Sequence, residues 1–375
     1  MIKILMCGPL KDSGGVAMHT KNISEALSNS GAQIIFNNTS LNNSTNIAII
    51  DYFIIMWRRT VGLILNSMKL RNEYDIIHIQ SSGGIFSFIA ALSGSFISTI
   101  LHKNLVITFH YRPSEKFAIN HYRLISFVLN QCDIFFIVSN KQKQIFEKHF
   151  PIFSSKLHVI PNGFDANKFK MLDQKLCRSE LKLPLDKKIL LTVGNLVPEK
   201  GQCYLIEAIK EIVKYRTDII CLIIGHSKLK EAFEIMINNL QLSDYVILIG
   251  KKPHEEIPLW INGCDLFVLP SLIEGNPTVM FECMGCGKPF VGTKVGGIPE
   301  IITSEDYGLL CEPADPEGLA KNLLIALDKE WNVKRIEEYS VQFTWDVISI
   351  EILNVYSKID YIKLMSNKFV RSHED

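Results

Sequence analysis

Two glutamates stand eight residues apart, at Glu274 and Glu282, directly after an apolar run. The residues between them predict a loop that enters a helix, with Asn276 as the N-cap and Pro277 in the first helical position. Free amides and the dipole at such a helix start favour a phosphate, the dipole alone by roughly 0.3–2 kcal/mol. Carboxylates repel phosphate, so the glutamates suit hydroxyl groups, at about 1.5–3 kcal/mol per bond. The segment therefore predicts an anion site flanked by acceptors for sugar hydroxyls.

A purely structural interpretation of the same segment makes Glu274 a capping residue and Glu282 a solvated helix residue. The apolar neighbours Phe281 and Cys283 weaken that interpretation for Glu282, because they indicate a largely buried helix. Gly275 permits close approach of the backbone to a ligand.

Three further loops follow predicted strands. Lys200 ends the loop that contains Gly194 and Asn195, and it is placed to neutralise a phosphate oxygen, the alternative being a solvated lysine. The loop at 296–300 contains two glycines that permit close backbone approach. Gly14 and Gly15, after the first strand, can let a substrate lie against the backbone, although this pair alone is a weak motif.

His110 ends a strand-like run, at the edge of an open sheet where ligands bind. We interpret it as a functional residue, the alternative being a structural histidine. Ser139 and Lys141 occupy a comparable position after the next strand.

The elements that must carry these loops alternate between short apolar runs and helical stretches, which is typical of parallel sheets covered on both faces. We predict strands at 2–7, 33–36, 75–80, 105–110, 133–138 and 157–160, and then at 188–193, 219–225, 246–250, 265–270 and 289–293. The pattern restarts after a turn-rich hinge at 161–165. This predicts an N-terminal Rossmann-like domain at 1–165, a C-terminal one at 166–344, and a terminal stretch at 345–375.

Composition and charge limit the classes of protein and of partner that fit this chain. The chain has 375 residues and a net charge of +1, which argues against nucleic acid as a partner. Nine cysteines, an odd number, are interpreted as reduced thiols of a cytoplasmic protein. Residues 83–101 carry no charge and predict a buried or membrane-facing helix. Residues 47–70 mix apolar and basic side chains, so peripheral contact with the inner face of a membrane is a further hypothesis.

Several motifs are absent. The sequence has no Gly-x-Gly-x-x-Gly after its first strand and no Gly-x-x-x-x-Gly-Lys-Ser/Thr, which argues against nicotinamide enzymes and P-loop ATPases. It has no Asp-x-Asp pair to hold a metal against a diphosphate. We therefore expect no metal site and no required cofactor, with a nucleotide sugar as the donor substrate.

Taken together, these motifs resemble those of the retaining glycosyltransferase family 4 (glycosyl transferases group 1) over nearly the whole chain, most strongly from Lys188 to Pro313. The family's Glu-x7-Glu motif corresponds to Glu274 and Glu282. Its diphosphate loop corresponds to residues 194–201. Its remaining motifs correspond to the Gly-Gly turn at 296–300, the Gly-Gly acceptor loop at 14–15 and the hinge at 161–165.

The resemblance implies a GT-B fold, an α/β architecture in which two doubly wound Rossmann-like domains face each other across a cleft, with the terminal helix crossing back to the first domain. Catalytic roles fall to Glu274, His110 and Lys200, and Gly14 and Gly15 form the acceptor and phosphate loop. The residues implied in donor binding are Gly194, Asn195, Gly275, Asn276, Pro277, Thr278 and Glu282, of which Glu282 would hold the ribose.

The implied reaction moves a hexosyl group, with retention, from a nucleotide diphosphate, with UDP the commonest in the family. The acceptor would be a glycan or a lipid-linked molecule in surface polysaccharide or glycoconjugate biosynthesis. Two departures from the family pattern bear on donor binding. Asn195 stands where many relatives carry arginine, and Pro277 lacks an N–H donor.

Two alternatives remain open at this point. A nucleotide-sugar epimerase shares the two-domain architecture and would need no acceptor. A non-catalytic subunit that binds sugar nucleotides would be inert with every donor and acceptor.

Overall fold

A computed structural model of the chain describes residues 1–10, 15–41, 45, 47–82, 84–227 and 229–359. It divides into two units. The first comprises Met1–Gly163 and the described residues from Trp345 onward, and the second comprises Phe164–Thr344. The division at 163/164 lies two residues before the boundary expected from the sequence.

The first unit is built on a six-stranded parallel sheet in the order β2-β1-β3-β4-β5-β6. Its strands are β1 Lys3–Gly8, β2 Gln33–Asn38, β3 Ile76–Ser81, β4 Asn104–Phe109, β5 Ile134–Ile137 and β6 Leu157–Val159. Almost every residue of the central strands is buried, because helices cover both faces of the sheet.

The second unit repeats this architecture in the order β12-β11-β10-β7-β8-β9. Its strands are β7 Lys188–Val193, β8 Ile219–Ile224, β9 Val246–Gly250, β10 Leu266–Leu269, β11 Phe290–Thr293 and β12 Gly308–Cys311. The sequence analysis missed β12. This strand has only four residues and begins with a glycine, so its sequence indicates a strand only weakly. Parallel pairing with β11 holds it in the sheet.

The helices were assigned in chain order. Those before the division are α1 Gly15–Asn29, α2 Ala48–Arg59, α3 Val61–Lys69, α4 Ile85–Leu101, α5 Glu115–Asn120, α6 Tyr122–Gln131 and α7 Asn140–His149. Those after it are α8 Gln174–Glu180, α9 Gln202–Ile212, α10 Lys230–Asn239, α11 Ile257–Gly263, α12 Thr278–Gly285, α13 Ile298–Ile301, α14 Pro316–Asp328, α15 Val333–Ser340 and α16 Trp345–Tyr356.

The last helix, α16, belongs to the first unit. Trp345, Ile348, Ile352 and Tyr356 are buried in one cluster with residues of β1 and α1, such as Ile4. These side chains follow the spacing of one helix face, which explains why a helix remote in sequence can complete the cover of this sheet.

The nine cysteines all lie within the described residues, and none forms a disulfide. Burial raises the pKa of most of the thiols, for example that of Cys221 to about 12. They therefore behave as small apolar core residues. Among the described residues, no helix combines the length and the apolar character needed to span a bilayer.

Candidate active site

Lys200 and Glu274 form the centre of the site in the second unit. The Lys200 Nζ donates to Glu274 Oε1 at 2.6 Å, and the Ser271 hydroxyl donates to the same oxygen at 2.7 Å. The Glu274 side chain is only 9% exposed, compared with 28% for Lys200. Two donors thus hold a nearly buried carboxylate, with a cation beside it at the strand-end edge of the sheet.

Close backbone packing brings these two residues together. Gly201, at φ 66°, follows the 3-10 turn Pro198–Lys200, and a Cβ there would lie 2.0 Å from the carbonyl oxygen of Pro270. Only glycine fits such a position without displacing the neighbouring loop. The amide of Leu272 also donates to the Glu199 carbonyl at 2.8 Å. The loop after β7 is therefore seated directly on the loop after β10.

The Gly-Gly turn after β11 packs on the same loop from another side. A Cβ on Gly296, at φ 56°, would lie 2.3 Å from the Glu274 carbonyl oxygen. The Gly297 amide donates to the Gly275 carbonyl at 2.7 Å. Three loops that the sequence analysis treated separately thus form one backbone-packed group.

The start of α12 differs from the prediction. Pro277, with φ −73° and ψ 118°, is itself the N-cap, no side chain caps the helix, and the first helical residue is Thr278. Asn276 is therefore not the N-cap but a buried loop residue. The hydrogen bond from Gly297 to the Gly275 carbonyl holds the loop extended through Pro277, and only the Pro277 carbonyl joins the first turn, as acceptor of the Met280 amide at 3.1 Å.

Glu282, inside α12, is buried and pairs with a residue that the sequence analysis missed. The His254 Nε2 lies 3.0 Å from Glu282 Oε1. This bond to the carboxylate raises the pKa of His254 above its ordinary value, against the opposing effect of burial. His254 follows the end of β9 by four residues, and this strand-end position was the signal that could have identified it.

The remaining residues predicted for donor binding also lie in the second unit. Gly194 continues the hydrogen-bond ladder between β7 and β8, because its amide donates to the Ile224 carbonyl at 2.9 Å. Asn195 is exposed, and its carbonyl accepts from the Gln202 side chain at 3.0 Å. With Gly275 and Thr278, these residues place polar backbone and side-chain groups along one strand-end edge.

His110 lies at the same kind of edge in the first unit. Its amide continues the ladder by donating to the Ser81 carbonyl at 2.8 Å, and its Nε2 lies 2.7 Å from Gln80 Oε1. An amide oxygen can only accept, so Nε2 carries the proton. Burial lowers the pKa of His110 to about 4, so the ring is neutral at physiological pH.

Further histidines surround His110. The His19 ring lies 4.3 Å from the His110 ring and 4.9 Å from the Trp345 ring. His78 contacts the Tyr356 hydroxyl through Nδ1 at 2.7 Å, and burial lowers its pKa to about 3. The sequence analysis did not single out His19, His78 or Gln80. His78 and Gln80 lie on β3 and His19 on α1. Trp345 and Tyr356 of α16 contact His19 and His78. No local sequence pattern encodes this proximity.

The glycine pair after β1 is described only in part. Gly14 lies outside the described residues. Gly15 is exposed at the first position of α1, and a Cβ there would meet nothing within 4 Å. Ser139, in contrast, has a structural role, because its hydroxyl accepts from the Gln142 amide and caps α7.

Comparison with known families agrees with this geometry. Residues 173–343 match the family described as glycosyl transferases group 1, and residues 13–168 match glycosyltransferase family 4. The chain belongs to the group 1 glycosyltransferases. It is therefore a transferase enzyme, and the two family matches between them span both units of this glycosyltransferase.

Two curated relatives and one solved structure illustrate the similarity. The glycosyltransferase is 28% identical over 300 residues, 75% of its length and 76% of the relative's, to the UDP-Gal:α-D-GlcNAc-diphosphoundecaprenol α-1,3-galactosyltransferase of Escherichia coli. It is 28% identical over 305 residues, 80% of its length and 77% of the relative's, to the N-acetyl-α-D-glucosaminyl L-malate synthase of Bacillus anthracis.

The structural similarity extends over nearly the whole glycosyltransferase. HepE of Anabaena, solved in complex with UDP, superposes with a TM-score of 0.78 at 20% identity, over 95% of this chain and 100% of that one. The two parallel six-stranded sheets with flanking helices thus have the GT-B fold predicted from the sequence.

Proposed function

We propose that this glycosyltransferase moves a hexosyl group from a UDP-sugar, with retention of anomeric configuration, to a glycan or lipid-linked acceptor. The observation that carries the proposal is the contact between Lys200 and Glu274 at 2.6 Å. A sugar nucleotide presents a phosphate oxygen and sugar hydroxyls on adjacent groups. A cation and a carboxylate side by side match that pair of chemistries.

The contact between His254 and Glu282 supports a binding site for the nucleoside. Glu282 accepts from His254 through one carboxylate oxygen. A carboxylate offers about four acceptor positions, so a ribose hydroxyl can be bound at the same time. Glu282 lies inside α12 and Glu274 in the loop that leads into it, so the single segment 274–282 carries both ends of the proposed donor site.

The proposed reaction uses no covalent enzyme intermediate and no required metal. The acceptor oxygen would form a bond to the anomeric carbon on the face from which the diphosphate leaves, and a phosphate oxygen would take the acceptor proton. Lys200 would neutralise the departing charge, assisted by the first amides of α12. The neutral His110 would accept a hydrogen bond from a substrate hydroxyl through Nδ1, because its Nε2 proton is bonded to Gln80 and its pKa of about 4 excludes a positive charge.

The UDP donor and the lipid-linked acceptor rest on similarity as well as chemistry. HepE was solved with UDP, and the E. coli relative is named for a UDP-sugar donor and a diphosphoundecaprenol acceptor. Both properties are carried over to this chain as part of the proposal, together with a role in surface polysaccharide or glycoconjugate biosynthesis.

The test measures release of nucleoside diphosphate from UDP-, GDP- and ADP-sugars, with and without mixed glycan and lipid acceptors. We expect release from one donor, increased by an acceptor, and a loss of about 10–100-fold in Glu274→Ala, because a charged hydrogen bond to the sugar is removed. UDP affinity should change less than about threefold, because Lys200 remains to meet the diphosphate. NMR of the product would establish the anomeric configuration.

Glu199→Ala is the matched control, because Glu199 is an exposed carboxylate in the same loop group. It should retain activity. Equal losses of transfer and of UDP binding in Glu274→Ala would contradict the role assigned to Glu274. Conversion of the donor sugar without any acceptor would replace the transferase proposal by an epimerase.

A further inference from the structure

An exposed apolar surface on α2 and α3 has no role in the sites described above. None of the residues of α2 is buried, although nine of its twelve are apolar or aromatic. Ile49 is 70% exposed and Phe53 is 67% exposed. Contiguous apolar patches are rare on monomeric soluble proteins, and they mark surfaces that bind a partner or a membrane.

The exposed side chains follow helical spacing. On α2 they are spaced i, i+1, i+4 and i+8, and on α3 i, i+4 and i+7, so each set forms one stripe along its helix. The stripe on α2 consists of Ile49, Ile50, Phe53 and Trp57, and the stripe on α3 consists of Val61, Leu65 and Met68. We call these seven side chains the α2–α3 face.

The two helices pack on each other and on the rest of the unit, and Leu63 and Ser67 of α3 are buried. A Cβ on Gly62 would lie 2.9 Å from the Trp57 ring, so the start of α3 packs tightly on the end of α2. The Tyr52 ring makes an edge contact with Phe86 of α4 at 5.7 Å. The α2–α3 face is thus presented on a fixed support.

The segment that carries the α2–α3 face is rich in basic residues, of which Arg58 donates to the Ser40 carbonyl and Arg59 to the Phe86 carbonyl. The charged side chains from 47 to 73 are Asp51, Arg58, Arg59, Lys69, Arg71 and Glu73. Asp51 accepts from the amide and hydroxyl of Thr45, at 2.9 and 2.7 Å. The four cations outnumber the two carboxylates in a chain whose total net charge is only +1. The positive charge is therefore concentrated in the segment that also carries the α2–α3 face.

A polar cavity of about 330 Å³ opens between these helices and the end of β2. Its lining consists of Phe36, Asn37, Asn38, Trp57, Arg58, Gly62 and Asn66. The Arg58 guanidinium donates to the Ser40 carbonyl and the Asn66 amide to Asn37 Oδ1, and a guanidinium is a group that binds phosphate well. The cavity lies beside the apolar stripe, which is the arrangement of a lipid headgroup and its acyl chains.

We infer that the α2–α3 face docks onto a membrane of anionic phospholipids, with the apolar stripes at the level of the acyl chains and Arg58, Arg59, Lys69 and Arg71 among the phosphates. An interfacial helix combines large apolar side chains, including Trp and Phe, with flanking cations, as this face does. The inference goes beyond the proposed transfer reaction and does not depend on it.

Sedimentation of the full chain with vesicles tests this docking. Binding to phosphatidylcholine vesicles that contain phosphatidylglycerol should exceed binding to phosphatidylcholine alone and should fall at high salt. The double variant Ile49→Ser/Phe53→Ser should lose at least about tenfold in partitioning, because it removes two inserted side chains. Lys69→Gln and Arg71→Gln should each reduce binding roughly fivefold, and only to the anionic vesicles.

The matched control is Leu176→Ser/Tyr215→Ser, which removes two side chains that are 71% and 77% exposed in the second unit. It should bind vesicles like the wild type, and thermal unfolding should show that both double variants fold. Wild-type protein that stays in the supernatant with every vesicle would overturn the inference. So would a self-associated wild type, measured by light scattering, that Ile49→Ser/Phe53→Ser converts to monomer without any change in vesicle binding.

Discussion

At the scale of single residues, the candidate site contains two nearly buried carboxylates, each in contact with a basic side chain. Lys200 and Glu274 meet at the edge of the site, with a shared serine donor on the carboxylate. His254 contacts Glu282, whose side chain is 8% exposed, close to the 9% of Glu274. The sequence motif contained three of these four residues, but it did not show which cation accompanies which carboxylate.

The pair between His254 and Glu282 predicts a pH dependence. The hydrogen bond to Glu282 raises the pKa of His254, while burial and Lys168 oppose the rise and Glu255 assists it. A raised folded-state pKa stabilises the protein fully below the unfolded value of about 6.5, and this stabilisation is lost as pH rises through the higher folded-state pKa.

We therefore expect His254→Gln to reduce the free energy of unfolding by about 1 kcal/mol near pH 5.5 and by less near pH 9. Urea unfolding of wild type and variant at both pH values measures this difference. Subtraction of the two proteins cancels the titration of groups they share. A loss that grows with pH would contradict the raised pKa.

At the scale of elements, the loops are positioned by glycines that allow backbones to touch. Gly201 and Gly250 both have positive φ, at 66° and 86°. They differ in their surroundings, because a Cβ on Gly201 would lie 2.0 Å from the Pro270 carbonyl oxygen, whereas a Cβ on Gly250 would meet nothing within 4 Å. Comparing substitutions at the two positions therefore distinguishes the cost of positive φ from the cost of a steric clash.

Gly201→Ala should destabilise the protein by about 1–3 kcal/mol more than Gly250→Ala does, because only the first adds a steric clash to the strain of positive φ. It should also lower UDP release, since the loop that carries Lys200 must move away from the loop that carries Glu274. Denaturant unfolding and donor turnover of both variants measure these effects. Equal losses of stability would show that close packing at Gly201 is not required.

At the scale of the whole molecule, α16 makes the first unit discontinuous in sequence. Its buried side chains include Trp345, Ile348, Ile352 and Tyr356. Burial of four such side chains contributes about 6–12 kcal/mol. That is comparable to the whole stability of an ordinary domain, about 5–15 kcal/mol. The second unit has apolar clusters made entirely of its own residues.

Ending the chain after Thr344 should therefore unfold the first unit and leave the second folded. Limited proteolysis with mass spectrometry should then degrade residues 1–163 and spare residues 164–344. A chain ended after Ile359 is the control, because it keeps α16, and it should resist proteolysis in both units. Resistance of residues 1–163 in the shorter chain would show that α16 is dispensable.

Much of this architecture could be predicted from the sequence. Apolar runs separated by helical stretches predicted eleven of the twelve strands, because the central strands of covered parallel sheets are apolar throughout. The paired glutamates and glycine loops were recognisable because each occupies a contiguous segment. The start of α12 was predicted one residue early, because local cap preferences do not include the hydrogen bond from the neighbouring loop to the backbone.

The tertiary structure decided the contacts between segments. His19 comes from α1, whereas His78 and Gln80 come from β3. His254 reaches Glu282 across 28 residues of chain. The ionisation of the histidines also depends on their burial, which a sequence pattern does not specify. The sequence by itself determined two parallel α/β sheets, the loops at their strand ends and the family. Only the folded chain determined which charges pair, which histidines stay neutral and which apolar helix faces remain exposed.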